Sequence, residues 1–118
     1  AVEYAQDLSF SAGKVAMENL LRADERPDAV FAVSDTLAAG ALLAIHEAGL
    51  SMPQDIAVVG FDGTELAEMV TPPLSTVQQP SREIGRQAVG LLLNKIENPD
   101  APAERIMLDW HYISRASA

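Results

Sequence analysis

No cysteine occurs in these 118 residues. That excludes a disulfide framework and thiol chemistry, and it fits a cytosolic protein. No apolar run approaches the ~20 residues that span a bilayer. The start lacks a basic segment followed by an apolar one, so neither a membrane span nor an export signal is expected. Basic residues are few, 8 against 17 acidic, for a formal net charge of −9. They also stand singly, at Lys14, Arg22, Arg26, Arg82, Arg86, Lys95, Arg105 and Arg115. Binding to a polyanion needs concentrated Lys and Arg, so this chain alone is not expected to hold DNA or an anionic membrane. Also missing are a Gly-x-Ser-x-Gly elbow, a phosphate-cradling glycine loop and a Cys/His cluster. No internal repeat or low-complexity linker breaks the chain, and 48% apolar content argues against disorder.

What is present centres on Asp55 to Thr64. Ile56 to Val59 is a short apolar run rich in β-branched residues with turn formers at both ends, the pattern of a strand buried on both faces of a parallel sheet. Gly60, Phe61, Asp62 and Gly63 lie just past it, where open α/β sheets bind ligands in the crevice beyond their strand ends. A carboxylate held there between glycines can accept hydrogen bonds from a small molecule, which makes Asp62 the first candidate.

In chain order, Val2 to Ala5 is a candidate first strand. Ser9 or Ser11 caps a helix to about Ala23, with Ala12, Val15, Ala16, Leu20 and Leu21 on one face. Ala29 to Val33 is a second apolar strand. A helix from Thr36 to about Ala48, stopped by Gly49, is apolar almost all round. Thr64 can cap a short helix reaching Met69 or Val70, and Pro72-Pro73 cannot continue it. Leu74 to Val77 is a brief strand or crossover. A helix follows Pro80, with Ile84, Ala88, Leu91, Leu92 and Ile96 at helical spacing, and Arg105 to Ile113 reads as the last strand. This alternation predicts an α/β fold with a mostly parallel sheet flanked by helices.

Asp35 and Asp62 both follow strands and can face one crevice. Asp35 also reads as a helix N-cap, and Asp62 as a turn former beside Gly63. Phe61-Asp62-Gly63-Thr64 resembles part of the Asp-x-Asp-Gly-Thr loop of haloacid-dehalogenase-type phosphotransferases. There the first Asp is the nucleophile, but Gly60 occupies that position and no aspartyl-phosphate can form. His46 and His111 are too isolated to suggest a metal site, and Leu50 stands where a zinc-protease helix starting at His46-Glu47 would need its second His. Neither an enzyme nor a cofactor is expected.

The order of these segments resembles the effector-binding region of lactose-repressor/galactose-repressor (LacI/GalR) family regulators, over essentially the whole length. The resemblance rests on Pro27 to Asp35, Ala38 to Leu42, Gly49 to Pro53, Asp55 to Asp62, Pro72 to Val77, Gln79-Pro80, Gly85 and Tyr112 to Ser117. It implies a periplasmic-binding-protein-like (type I) fold, here the second subdomain with a partial first. Residues 1–78 would form the C-terminal subdomain, 79–98 a helix belonging to the N-terminal subdomain, and 104–114 the returning strand. By position, Asp62, Ser34, Leu8 and Gln79 would line the effector cleft, while Asp35 would chiefly cap its helix. Leu8 stands where the family often has a stacking aromatic ring, and Ser34 where sugar-binding members often have an amide. Ala39, Leu42, Leu43, Leu66, Met69 and Val70 would form the surface of a homodimer. The implied function is small-molecule sensing, of a sugar or related metabolite, in a cytoplasmic regulator that binds DNA through an N-terminal helix-turn-helix outside this chain. The alternative is an exported sugar-binding protein of an ABC uptake system, which shares the fold.

Overall fold

The computed structural model describes all of residues 1–118. Its elements are α1 (Phe10–Leu21), β1 (Ala29–Phe31), α2 (Asp35–Glu47), β2 (Ala57–Asp62), α3 (Leu66–Met69), β3 (Ser75–Gln78), α4 (Ser81–Glu97) and β4 (His111–Ile113). The chain forms two compact units. One comprises Ala1–Gln78 and His111–Ala118, the other Gln79–Trp110.

The first unit is built on a four-stranded sheet in the order β1-β2-β3-β4. The pairs β1–β2 and β2–β3 are parallel, and β4 runs antiparallel to β3. The core gathers Met17, Ala38, Leu42, Ile45, Ile56, Val58, Ala67 and Leu74, so α2 is its central helix. Strand alternation puts Val58 and Gly60 on the α2 side and Val59 and Phe61 on the other. The burial of β2 follows this split, with Val58 and Gly60 buried and Val59 and Phe61 half-buried. The expected strand buried on both faces is therefore covered on one face only. On the open face Phe31 and Phe61 meet edge to face, their ring centres 6.2 Å apart.

Helix α1 lies against α2 at backbone contact. A Cβ at Gly13 would fall 2.2 Å from the Leu37 carbonyl oxygen, and one at Gly40 2.1 Å from that of Phe10. Each helix thus gives up a side chain so that its neighbour's backbone can approach. Lys14 of α1 reaches Glu47 of α2 at 2.7 Å, and that hydrogen bond raises the lysine's pKa above its ordinary value. The buried line of α1 is Gly13 and Met17. Val15, assigned to the apolar face from sequence, is 55% exposed.

Three further expectations are corrected. Val2 to Ala5 forms no strand, and Val2 and Tyr4 are exposed: an extended segment becomes a strand only when a neighbour pairs with its backbone. The last strand is confined to His111–Ile113 rather than starting at Arg105, since β3 offers partners only for those residues. Helix α3 begins at Leu66 with no side-chain cap, because the Thr64 hydroxyl is engaged elsewhere.

The C-terminal tail fastens this unit at the amino ends of its strands. Ser117 is fully buried. Its hydroxyl donates to the Val58 carbonyl at 2.6 Å and accepts from the Ser75 amide at 2.8 Å. Its own carbonyl accepts from the Val58 amide, and its amide donates to the Pro73 carbonyl. Arg115 donates to the Leu74 carbonyl and pairs with Glu68 at 2.8 Å.

In the second unit, α4 carries Ile84, Val89, Leu92, Leu93 and Ile96, all at least 40% exposed. An Arg86–Glu83 pair lies on the same helix. That pair, followed by Gln87, holds the Glu83 carboxyl at a pKa of about 2.

Candidate functional site

The carboxyl ends of the parallel strands converge on one rim. Phe31 of β1 is in register with Val59 of β2, so Ser34 and Asp62 each lie three residues beyond a matched pair on neighbouring strands. On its other side Asp62 pairs in register with Gln78 of β3. Sheet register sets Asp62 beside Gln78, and Ser34 follows β1 at the same end of the sheet.

Asp62 is half-buried, with its backbone at φ 114°, the one non-glycine residue of the chain at positive φ. A non-glycine residue held there costs about 1–3 kcal/mol, and such strain gathers at ligand sites. Gly63 follows at φ 72°. A Cβ on it would strike Gln78, 2.5 Å from that residue's own Cβ. Two consecutive residues at positive φ turn the chain sharply off the end of β2, with Asp62 at the rim.

Ser34 proves to be the N-cap of α2, a role the sequence had suggested for Asp35. Its hydroxyl accepts from the Leu37 amide at 3.2 Å, and the residue is 6% exposed. The hydroxyl hydrogen and the second lone pair remain for it to offer a ligand. Asp35, the first residue of α2, is fully buried. One carboxylate oxygen accepts from the Thr64 amide at 2.6 Å and from the Thr64 hydroxyl at 2.9 Å. The other accepts from the Thr76 hydroxyl at 2.5 Å. Gly60 makes this possible, because a Cβ there would lie 2.5 Å from the carboxylate. Helix start, β2 turn and β3 are thus tied through one buried anion, stabilised by the amino end of α2.

Thr64 read as a helix cap and Thr76 as part of a strand, neither as a partner of Asp35. Their partner lies 29 and 41 residues away, and the one local signal is Gly60, whose missing side chain marks a close approach.

Leu8 belongs to the first unit. It is 65% exposed and borders an apolar hollow of about 570 Å³ between Ala1–Ala5 and β1, a hollow that neither Ser34 nor Asp62 lines. Gln79, half-buried, comes directly after β3 and begins the second unit.

Of the residues expected at a dimer surface, Ala39 and Leu42 are 3% exposed. They pack inside their own unit and have almost no surface for a partner, because α2 is covered by α1 on one side and by the sheet on the other. Leu43, Leu66 and Val70 keep partial exposure, and Met69 is 78% exposed. His46 and His111 are both exposed, on different elements. No group of three or more His, Cys, Asp or Glu is placed to hold a metal ion.

Residues 1–118 match the family described as the periplasmic binding protein-like domain. The ribose operon repressor of Escherichia coli (strain K12) is 41% identical over 116 residues, covering 98% of this chain and 35% of the repressor. A transcriptional regulator CelR–cellobiose complex superposes with a TM-score of 0.89 at 36% identity, over 95% of this chain and 34% of that one. A LacI family transcriptional regulator from Lactobacillus casei with bound sucrose gives a TM-score of 0.77 at 31% identity, over 93% of this chain and 41% of that one. The chain spans about a third of the length of the curated relatives it matches.

Proposed function

The chain belongs to the LacI-type regulators of the periplasmic binding protein-like domain family, and from that premise we propose that it is the ligand-sensing part of a DNA-binding transcriptional regulator. Its effector is a sugar or a close relative of one, consistent with a ribose operon repressor and with regulators bound to cellobiose and sucrose among its relatives. The observation that carries this reading is Asp62, an acceptor held in a strained turn at the rim. Polyhydroxy ligands offer many donors, and a hydrogen bond to a charged acceptor is worth about 1.5–3 kcal/mol. Ser34 supplies a hydroxyl hydrogen beside it, and Gln79 follows from β3. Leu8 is the apolar member of the set.

In this reading DNA is bound through a helix-turn-helix outside these residues, and the whole protein works in the cytoplasm as a homodimer. The accessible residues Leu43, Leu66, Met69 and Val70 contribute to the pairing surface. Effector binding changes DNA affinity because the ligand prefers one of two conformational states, and it shifts the balance only by that difference in affinity. The relatives named above are regulators, which favours this reading over the exported sugar-binding protein with the same fold.

The test is calorimetric titration of the full-length protein with D-ribose, cellobiose and sucrose, before and after Asp62→Asn. The substitution keeps the shape and removes the charge. It is expected to weaken binding by about tenfold or more. An unchanged dissociation constant would remove Asp62 from the site.

A further inference from the structure

Asp35 is the one carboxylate of the chain that is fully buried, so it is out of a ligand's reach. Its three hydrogen bonds nevertheless all go to groups around the Asp62 turn and the neighbouring strand. We propose that Asp35 is the positioning residue of the effector site, tethering Thr64 so that the Asp62–Gly63 turn stays in its binding conformation. The inference rests on the reading of Asp62 as an effector ligand.

The Asp62–Gly63 turn has two ends. One is fixed by pairing of Asp62 with Gln78 in the sheet. The other is Thr64, whose amide and hydroxyl both donate to the same oxygen of Asp35. The turn itself is Asp62 at φ 114° and Gly63 at φ 72°. Left alone, an aspartate leaves the left-handed region for the more populated extended or right-handed ones, and such a conformation persists only when its surroundings over-determine it. The Thr64 tether supplies that constraint. The second oxygen, held by Thr76, fixes the carboxylate to β3, the strand that carries Gln78. Both ends of the turn are thus referred to one rigid frame. Gly60 keeps the space between Asp35 and β2 open.

A residue acting this way sets affinity through Asp62, whereas a merely structural one acts on stability alone. In the full-length protein titrated with D-ribose, Asp35→Ala is expected to weaken binding by about tenfold. Asp35→Asn, which keeps an acceptor for the Thr64 amide, restores most of it. Thr76→Val cuts the other leg but leaves both Thr64 bonds in place; it lowers the melting temperature and weakens binding by clearly less than Asp35→Ala. Because the effect passes through Asp62, the double variant Asp35→Ala/Asp62→Asn binds no more weakly than Asp62→Asn alone. Additive losses in that cycle, or a Thr76→Val loss equal to that of Asp35→Ala, overturn the proposal. Should Asp35→Ala fail to fold, the Thr64 pair decides: valine weakens binding several-fold, serine retains it, and equal affinities reject the tether. Amide exchange without ligand separates this inference from the effector reading. The Thr64 amide exchanges faster in Asp35→Ala and recovers in Asp35→Asn; if it does not, the positioning role is wrong whatever Asp62 binds. If exchange behaves as expected while Asp62→Asn binds D-ribose as before, the tether stands and the effector site falls.

Discussion

Single atoms decide much of this chain's behaviour. At Gly60 one added methyl group meets a carboxylate oxygen at 2.5 Å and Leu74 Cδ2 at 2.8 Å. Gly60→Ala is therefore expected to destabilise by about 1–3 kcal/mol, the usual cost of overpacking, which urea denaturation of the full-length protein will measure. Ser117 makes the opposite case, in which a group too many would be lost. Ser117→Ala strands the buried Ser75 amide and removes the donor to Val58, and each unsatisfied buried group costs about 1–3 kcal/mol. A titration prediction belongs at this scale too. Glu83 has its pKa lowered to about 2 by the Arg86 and Gln87 side chains. A carboxyl with a depressed folded pKa contributes stability that is present above its unfolded value, near 4.5, and lost as pH falls through about 2. Its carboxyl carbon resonance should titrate near the lower value, and Arg86→Ala should return it toward the ordinary range.

Among the elements, the helices were the most readable. Gly49 ends α2 as the C′ residue at φ 73°, and Pro80 precedes α4, because caps and stops are local. The α1–α2 crossing was less so. Gly13 and Gly40 look like weak points in isolated helices, yet each sits where the partner's backbone passes. Gly40→Ala, which raises intrinsic helix propensity, is expected to lower the melting temperature, since backbone at 2.1 Å cannot yield as a side chain can. Calorimetric melting checks the sign. Strands were less legible at their ends. β2 runs on to Asp62 because β3 pairs with it that far, and β4 is short for the converse reason.

For the whole molecule, charge and topology matter most. With a net charge of −9, the 118 residues by themselves should give no shift of duplex DNA in a gel at about 0.15 M salt, since phosphate contacts supply most non-specific affinity. Recovery of DNA binding in the full-length protein would then be owed to residues outside this stretch. The chain leaves the first unit after Gln78 and returns at His111, so its last residues close that unit.

The sequence alone determined the alternation of strands and helices, the segments that end them, the rim carrying Asp62 and the family likeness. Each of these is written in periodicity or in neighbours a few residues apart. Tertiary structure alone decided that Asp35 is buried and thrice bonded, that Ser34 caps α2, that Ala39 and Leu42 face inward, and that Ser117 locks the strand ends. Those contacts join residues up to 59 positions apart. Register and packing select them from many donors of equal local merit, and no period in the chain records the choice.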